Sequence, residues 1–350
     1  MSHASECLEK IAAQRAQWGD KLLILGHHYQ DASVVACCDA VGDSLELSRI
    51  AAASNADRII FCGVRFMAET AEILCYDGAE GRQRRRSVWQ PAPNAGCPMA
   101  DMATGEGLEA AWQTLQKALP EDVLTPVVYV NSNAEVKAVC GKHGGAACTS
   151  GNGHHVVKHF LAMGHRILFA PDQHLCTNIM RELGYPPEAV ALWHRDIPGG
   201  GLSEEQIRSA RLIAWDGCCP IHASYTTSDV TIARKAHPGA ELLIHPEAPS
   251  AVASLADKTG STKGIIEAIH RAEPGSSFIV GTEDHLVERL KQLPGKEIHA
   301  LRPILCEDMG LTTPEQILHV LETWDEACRV RVPEELIPDA RACVERMLAL

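Results

Sequence analysis

Long apolar runs and a surplus of positive charge are both missing from this 350-residue sequence. No uninterrupted apolar stretch reaches the roughly 18 residues of a membrane-spanning helix, and the N-terminus lacks the apolar core of a signal peptide. The net charge of −13 argues against a general nucleic-acid binder, which needs a basic surface for phosphates. We therefore expect a cytoplasmic protein with no membrane span and no nucleic-acid partner. The arginine-rich stretch 81–86 is interpreted as a solvated loop rather than a phosphate site.

Closely paired cysteines are also missing, although cysteine itself is abundant. The chain has 14 cysteines but no C-x-x-C pair, which weakens a zinc-ribbon or ferredoxin interpretation. In a reducing compartment we expect no disulfide framework, and most of these side chains should be small buried hydrophobic residues. A metal site built from cysteines far apart in the sequence stays open.

What the sequence does contain is a threefold repeat of apolar, strand-like runs. The first run of each repeat is followed at nearly equal intervals by a second run, and then by a third. The runs lie at 22–26, 58–63 and 87–93, at 127–131, 166–171 and 211–217, and at 242–245, 277–282 and 297–305. Strands that alternate with helical stretches predict parallel sheets covered by helices on both faces.

The repeat predicts both the fold class and the domain organisation. We expect an α/β protein made of three αβα domains, each a three-layer unit with a parallel sheet, related by a pseudo-threefold axis around a central active site. The predicted domains are 1–106 with the N-terminal helix, 107–222 and 223–310, followed by a C-terminal helical segment at 311–350. In such units ligands bind beyond the carboxyl ends of the strands.

A serine opens the second helical stretch of each repeat, at Ser44, Ser150 and Ser261. Serine before an apolar-periodic run is typical of a helix N-cap. Helix N-termini also bind anions through their uncapped amides and the helix dipole. We predict that each of the three serines is an N-cap. Because the serines occupy matching positions in the repeats, a shared anion site is a further interpretation.

A cysteine follows the third strand-like run of each repeat, at Cys97, Cys219 and Cys306. If the units pack about a threefold axis, equivalent positions meet, and three thiolates around one point suit an iron–sulfur cluster. A cubane cluster would then keep one iron open as a Lewis acid. Ordinary buried cysteines are the alternative, and Cys218 competes with Cys219 as a ligand.

From about residue 20 to about residue 320 the sequence resembles the quinolinate synthase family. The matching motifs are GHHYQD, GDSLELSR, GVRFMAETAEIL, GCPMADM, VVYVNSNAEVKA, CTSGN, FAPDQHL, WDGCCPIH, IHPEAPSAVASLAD, TGSTKGII and GTEDHL. The resemblance implies three pseudo-symmetric αβα domains and one central [4Fe–4S] cluster per chain, with Cys97, Cys219 and Cys306 as its three ligands. Cys219 is preferred to Cys218 because the family pattern reads Gly-x-Cys-x-[Ile/Val]-His, here residues 217–222.

The resemblance also implies the reaction. Members of the family are transferases that condense iminoaspartate with dihydroxyacetone phosphate to quinolinate in NAD biosynthesis, releasing phosphate and two waters, with the open iron assisting dehydration. An aspartate-oxidising enzyme that supplies the imine is an expected partner. Two alternatives stay open: another [4Fe–4S] hydro-lyase acting on a hydroxy acid, and a non-catalytic tandem α/β binding protein.

Matching motif positions imply the site residues of this chain. The expected substrate-binding residues are His27, Ser44, Tyr129, Asn131, Ser150, His245, Glu247, Ser261 and Thr262. The expected catalytic residues are Tyr29, Glu247 and His27, with Tyr29 and Glu247 as acid/base groups. His27 and His245 are expected to donate hydrogen bonds to substrate carboxylates. His28 alternates away from His27 and is predicted to face the domain interior.

Three segments depart from the family pattern, and the first of them, 81–91, leaves the exact strand there open. The Gly- and Cys-rich stretch 139–152 is interpreted as a loop before Ser150 rather than as a metal site. The stretch 183–210 is longer than in the shortest members, and we predict a surface loop and a helix there.

Overall fold

The computed structural model describes residues 3–76 and 86–350 of the chain, which forms two compact units. Unit 1 comprises the residues up to Cys97 together with Leu305–Ile337. Unit 2 comprises Pro98–Ile304 together with Pro338–Leu350. The predicted domain boundaries after residues 106, 222 and 310 stay a prediction.

Helices of four to 16 residues separate the strands. In chain order they are α1 (His3–Trp18), α2 (Ala32–Val35), α3 (Ser44–Ala53), α4 (Arg65–Cys75), α5 (Pro98–Asp101), α6 (Gly105–Ala118), α7 (Ala134–Lys142), α8 (Gly153–Ala162), α9 (Gln173–Glu182), α10 (Glu204–Ser209), α11 (Pro220–Ala223), α12 (Thr227–Ala236), α13 (Ser250–Ala253), α14 (Thr262–Arg271), α15 (Asp284–Leu290), α16 (Glu307–Gly310), α17 (Pro314–Thr323) and α18 (Ile337–Ala349). Short 3₁₀ helices lie at Gly19–Lys21, Pro187–Ala189, Pro198–Gly201, Glu326–Cys328 and Glu334–Leu336.

Unit 1 is built on one parallel four-stranded sheet. Its strands are β1 (Leu22–His27), β2 (Ala40–Gly42), β3 (Arg58–Cys62) and β4 (Ser87–Trp89), in the order β2-β1-β3-β4. Ile24, Leu25, Ile59 and Ile60 are fully buried, as expected for central strands covered on both faces. Helices α1 and α17 supply part of that cover, because their apolar residues join the same core cluster as β1 and β3.

Unit 2 contains two further parallel sheets. The strands of one are β5 (Leu124–Tyr129), β6 (Ala146–Cys148), β7 (Arg166–Ala170), β8 (Val190–Trp193) and β9 (Leu212–Trp215), in the order β6-β5-β7-β9-β8. The strands of the other are β10 (Glu241–Ile244), β11 (Lys258–Thr259), β12 (Ser277–Gly281) and β13 (Glu297–Ala300), in the order β11-β10-β12-β13. Both sheets are parallel throughout.

The α/β class and the threefold repeat of parallel strands are confirmed. In every sheet the first predicted strand pairs with the second, and the second pairs with the third. Every sheet also has a short edge strand beside its first strand that the sequence did not predict, namely β2, β6 and β11. Each of these edge strands leads within a few residues to Ser44, Ser150 or Ser261.

The sheet formed by β5–β9 changes the interpretation of two segments, 139–152 and 183–210. Residues 139–152 are not simply a loop, because they contain the end of α7 and all of β6. Residues 183–210 include the predicted helix, α10, but also β8, which extends the sheet by one strand. Of the arginine-rich stretch, residues 81–85 lie outside the described residues, whereas the Arg86 guanidinium donates to the Ser54 carbonyl at 2.8 Å.

Most of the cysteines are buried, as the sequence predicts. In the part of the chain that the structure describes, which holds all 14, none forms a disulfide. Nine are buried as small apolar residues, and the five half-buried ones include Cys97, Cys219 and Cys306. Among the helices within the described ranges, none is long and apolar enough to cross a membrane.

Candidate active site

The turn that ends β1 carries two of the predicted site residues of unit 1. His27 is 4% exposed, and its Nδ1 accepts a hydrogen bond from the Tyr29 backbone N–H at 3.1 Å. The two rings meet edge to face with their centroids 4.7 Å apart. Because Nδ1 is the acceptor, the neutral His27 ring carries its proton on Nε2 and is a hydrogen-bond donor there. His28 is half-buried, and its orientation towards the domain interior stays a prediction.

Ser44 is the first residue of α3 but does not cap that helix. The cap is Asp43, whose carboxylate accepts from the N–H groups of Leu45 and Glu46 at 3.0 and 2.9 Å. The Glu46 carboxylate accepts in return from the Asp43 N–H at 3.4 Å. The predicted serine cap is therefore wrong here, because aspartate one residue earlier caps equally well and Glu46 completes a capping box. With a carboxylate at this helix start, its amides are poorly suited to a second anion.

Cys97 and Cys306 lie at similar positions in unit 1. Both are half-buried, Cys97 directly precedes α5, and Cys306 is the N-cap residue of α16. The backbone N–H of Gly96 donates to Asp308 Oδ1 at 3.0 Å. This hydrogen bond ties the segment that carries Cys97 to the helix that Cys306 begins.

In unit 2, residues from two different sheets meet around Tyr129. β5 ends on Tyr129, which is 4% exposed, and its hydroxyl is hydrogen-bonded to Ser150 and Glu247. Burial first, and the negative charge of Glu247 next, raise the pKa of the Tyr129 phenol well above its ordinary value. The phenol therefore keeps its proton at neutral pH and donates a hydrogen bond to the carboxylate.

Glu247 is the charged centre of this group, although its side chain is almost fully buried. Burial on its own would raise the pKa of Glu247. The His245 and His222 imidazoles, with hydrogen bonds from His222 and Tyr129, outweigh burial and lower that pKa to about 2. The Glu247 Oε2 to His222 Nδ1 distance is 2.6 Å, the short contact of a charge-assisted hydrogen bond. Glu247 is thus ionised at neutral pH.

His245 follows β10 and repeats the geometry of His27. Its Nδ1 accepts from the Glu247 backbone N–H at 3.5 Å, two residues further on, as His27 accepts from Tyr29. Burial, followed by the neighbouring His222, lowers the pKa of His245 to about 3 against the opposing effect of Glu247. The His245 ring is therefore neutral at neutral pH and, like His27, carries its proton on Nε2.

His222 is a site residue that the sequence reasoning missed. It is 2% exposed, its Nδ1 contacts Glu247, and its Nε2 lies 3.1 Å from Thr282 Oγ1. Residues three apart on a helix share a face, and Cys219 and His222 stand three apart at the start of α11. That spacing in WDGCCPIH is the signal in the sequence that points to His222.

Asp172, in the FAPDQHL motif, is a second missed residue, and it orients Cys219. Its Oδ1 caps α9 by accepting from the N–H groups of His174 and Leu175 at 2.8 Å, and its Oδ2 accepts from the Cys219 N–H at 3.3 Å. Burial first, and the charge of Glu247 next, raise the pKa of Asp172 well above its usual range. The neighbouring Cys218 N–H is directed elsewhere, at the Met102 sulfur.

Three more predicted residues of unit 2 lie at or just before the starts of α8 and α14. Ser150 does not cap α8, since the N-cap residue is Asn152, so that predicted cap is also wrong. Ser261 does cap α14, because its hydroxyl accepts from the Gly264 N–H at 3.1 Å, and Thr262 beside it is buried. A Cβ placed on Gly151 would lie 3.4 Å from Ser261 Oγ, so the Ser150 turn borders the start of α14.

Asn131 has the feature expected of a ligand-binding side chain. Within the described residues, its Oδ1 is buried without a hydrogen-bond partner. Buried polar atoms are nearly always paired, so an orphaned amide beside a group of predicted site residues indicates a place for a ligand.

The structure thus brings Tyr129, Ser150, Glu247 and Cys219 into one neighbourhood of unit 2. Within unit 1 it pairs His27 with Tyr29, and the Cys97 segment with α16. The predicted convergence of all three cysteines involves both units and stays a prediction.

Comparison with known proteins gives matches over nearly the whole chain. The family described as Quinolinate synthetase A protein matches residues 9–349. A quinolinate synthase of Rhodopirellula baltica is 42% identical over 353 residues, covering 98% of this chain and 90% of the relative. One from Corynebacterium glutamicum is 38% identical over 352 residues, covering 99% of this chain and 88% of the relative.

One solved structure, an E-1-hydroxy-2-methyl-but-2-enyl-4-diphosphate reductase from Plasmodium falciparum, aligns with 92% of this chain and 83% of its own at 12% identity. Its TM-score of 0.26 is too low to support a conclusion. The family match and the identities above 30% over full-length relatives do support one: this chain belongs to the quinolinate synthetase A protein family.

Proposed function

We propose that this chain is a quinolinate synthase of NAD biosynthesis. It would condense iminoaspartate with dihydroxyacetone phosphate to quinolinate, releasing one phosphate and two waters. Membership of the family supports the reaction, and the curated relatives at 42% and 38% identity carry this name. The observation that carries the proposal for this chain is the buried Tyr129–Glu247–His222 group beside Cys219, a polar centre that a purely structural core would not need.

We infer one [4Fe–4S] cluster per chain, held by Cys97, Cys219 and Cys306. The residues present fit this group: all three thiols are half-buried, and each stands directly before a short helix in the segment that follows the third strand of its repeat. Three thiolates leave one iron of a cubane open, and that iron would supply a Lewis acid for a substrate hydroxyl or carboxylate.

Glu247 is proposed as a general base rather than a general acid. With its pKa lowered to about 2 it has no proton to give at neutral pH in the substrate-free protein. Substrates that carry carboxylates and phosphate bring negative charge next to it, which raises the pKa of a carboxylate towards a range useful for proton removal. Tyr129 holds its own proton, so it orients the carboxylate and does not compete for the substrate proton.

His27 and His245 are proposed to bind substrate carboxylates through Nε2–H. Each ring is fixed locally in the same way, because its Nδ1 accepts a backbone N–H two residues later in the chain. Tyr29 stays a proposed acid/base group of unit 1. Ser261 and Thr262 at the N-terminus of α14 are the proposed anion contacts, since a helix start with a serine cap favours negative charge.

Product formation tests the reaction directly. The protein, purified without oxygen, should form quinolinate from iminoaspartate and dihydroxyacetone phosphate, and an aspartate-oxidising enzyme should be able to supply the imine. The matched control is the same protein with the cluster removed by a chelator, which should form none. An intact cluster without quinolinate would rule out the assigned reaction while leaving the cluster proposal standing.

A further inference from the structure

Unit 2 brings together three side chains that could hold a single metal ion. Three possible donor atoms, one from each of Cys219, His222 and Glu247, lie within 4.8 Å of one another. His222 and Glu247 are 2% exposed, and Cys219 is half-buried. Thiolate, imidazole and carboxylate are the three donor types that zinc takes in proteins, and three protein ligands leave its fourth position to water.

We propose that the cluster-free chain binds one Zn²⁺ ion through Cys219 Sγ, His222 Nδ1 and a Glu247 carboxylate oxygen. This site differs from the proposed iron–sulfur centre in its number of metal ions and in two of its three ligands. Only Cys219 is common to both.

The present geometry needs a small adjustment to accept the ion. Tetrahedral zinc with bonds of about 2.0–2.1 Å holds a nitrogen and an oxygen ligand roughly 3.3 Å apart. His222 Nδ1 and Glu247 Oε2 are 2.6 Å apart, joined by a hydrogen bond. Zinc would take the place of that hydrogen bond, and the distance between the two atoms would increase by about 0.7 Å.

The surroundings of the three ligands already have the form of an outer ligand shell. His222 Nε2 lies 3.1 Å from Thr282 Oγ1, so a ring that binds zinc through Nδ1 can donate Nε2–H to this hydroxyl. The Tyr129 hydroxyl is hydrogen-bonded to Glu247, and the Asp172 carboxylate accepts from the Cys219 N–H. Such partners fix the orientation of metal ligands, and losing one typically costs 10–100-fold in metal affinity.

Zinc and the cluster would compete for the chain. The Cys219 thiolate can serve only one of them, so a chain that holds zinc should not accept the full cluster. This consequence rests on the proposed cluster, whereas the zinc site itself does not.

Cobalt(II) is the spectroscopic probe for the site, used with the full-length, cluster-free protein. We expect one Co²⁺ per chain, displaced by Zn²⁺, with a thiolate-to-cobalt charge-transfer band and the visible bands of a four-coordinate ion. Cys219→Ser should abolish the charge-transfer band, and the matched control Cys218→Ser should keep it. His222→Gln, Glu247→Gln and Thr282→Val should each weaken Zn²⁺ binding at least about tenfold.

Two results would overturn the proposal: a charge-transfer band that survives in folded Cys219→Ser, or zinc affinity unchanged in both Glu247→Gln and Thr282→Val. The Thr282→Val variant keeps the side-chain shape, so it stays informative if Cys219→Ser does not fold, as judged by circular dichroism. In a second arm, one equivalent of Zn²⁺ added before anaerobic reconstitution should lower the iron content, and unchanged iron would refute the competition. Failure to form quinolinate leaves the cobalt result unaffected, so the two proposals fail separately.

Discussion

At the scale of single residues, the site depends on which groups hold protons. Burial and Glu247 raise the pKa of Tyr129, and burial and His222 lower the pKa of His245, so Tyr129 keeps its proton and His245 is neutral. For Glu247 burial acts in the opposite direction, and its His245, His222 and Tyr129 neighbours lower the pKa and keep the carboxylate ionised. The result is an ionised, buried carboxylate that accepts hydrogen bonds from His222 and Tyr129. A carboxylate held in this way can remove a proton from a substrate without first losing one of its own.

Replacing Glu247 with glutamine should therefore reduce turnover without disturbing the fold. The amide keeps the shape of the side chain but cannot act as a base, so kcat should fall by a factor on the order of 10²–10⁴. Steady-state quinolinate formation measures this, with iron content confirming that the cluster is retained. The control is Glu204→Gln, an exposed glutamate on α10, which should behave as the unmodified chain. Unchanged kcat in Glu247→Gln would remove Glu247 from the catalytic residues.

At the scale of elements, helix α18 supports the segment that carries Ser150. The Arg346 guanidinium donates to the Gly145 and Gly141 carbonyls at 2.6 and 3.3 Å, and the Asn152 amide donates to the Met347 carbonyl at 3.3 Å. These contacts attach α18 to α7 and to the turn before α8. The sequence predicts helical structure for this C-terminal region but not the segments it contacts, because contacts between distant segments leave no local pattern.

The contact between α7 and α18 leaves no room for a side chain at Gly141. A Cβ there would lie 1.8 Å from the Asp339 carbonyl oxygen, so the backbone of α18 would have to move. Gly141→Ala should lower the free energy of unfolding by about 2 kcal/mol or more, the range of overpacked sites. Denaturant titration measures this against Gly310→Ala, where no atom lies within 4 Å of the added Cβ and little change is expected. Equal stability of the two variants would show that α18 does not pack as described.

A second contact, between α6 and α7, should make stability depend on pH. Glu109 accepts from His143 Nε2 at 2.8 Å and from Lys142 Nζ at 3.2 Å. Burial would raise the pKa of Glu109, but hydrogen bonds from His143, Gln113 and Lys142 outweigh it and lower that pKa to about 2. The carboxylate therefore stabilises the fold above its ordinary pKa of 4.5, and this stabilisation is lost as pH falls towards 2.

Glu109→Gln tests that dependence. After allowance for solvent screening, the substitution should cost at most about 1 kcal/mol at neutral pH, and the difference should shrink at about pH 3.5. Urea titrations of both chains at the two pH values give the comparison. Glu345→Gln, at an exposed ion pair on α18, is the control and should show no such trend. A cost that does not fall with pH would contradict the assigned role of the Glu109 charge.

At the scale of the whole molecule, three parallel sheets repeat one strand order, and predicted site residues follow the strands of each. Nine of the 13 strands in the described part of the chain follow predicted runs, because strands covered on both faces read as continuous apolar runs. The edge strands β2, β6 and β11 could not, because Ala-Val-Gly, Ala-Ala-Cys and Lys-Thr are too short and lack such a run. They form because β1, β5 and β10 each offer an edge to pair with.

Candidate site residues can be picked out from the sequence where they follow a strand, and their roles stay predictions. Strand-end residues such as His27, Tyr129 and Glu247 stand out in the sequence because polar side chains interrupt an apolar pattern there. Asp172 does not stand out, because its role depends on a backbone N–H that lies far along the chain. The sequence predicts the cap of α3 one residue too late, at Ser44 instead of Asp43, because the two residues are adjacent and both suit that position.

The central claim is that the three repeats together hold one cluster through one cysteine each, and iron and sulfide counting after anaerobic purification tests it most directly. The unmodified chain and Cys218→Ala should each contain about four iron and four sulfide per chain. Cys97→Ala, Cys219→Ala and Cys306→Ala should each lose most of both. Full iron in any of these three variants, or an iron-free unmodified chain, would contradict the account.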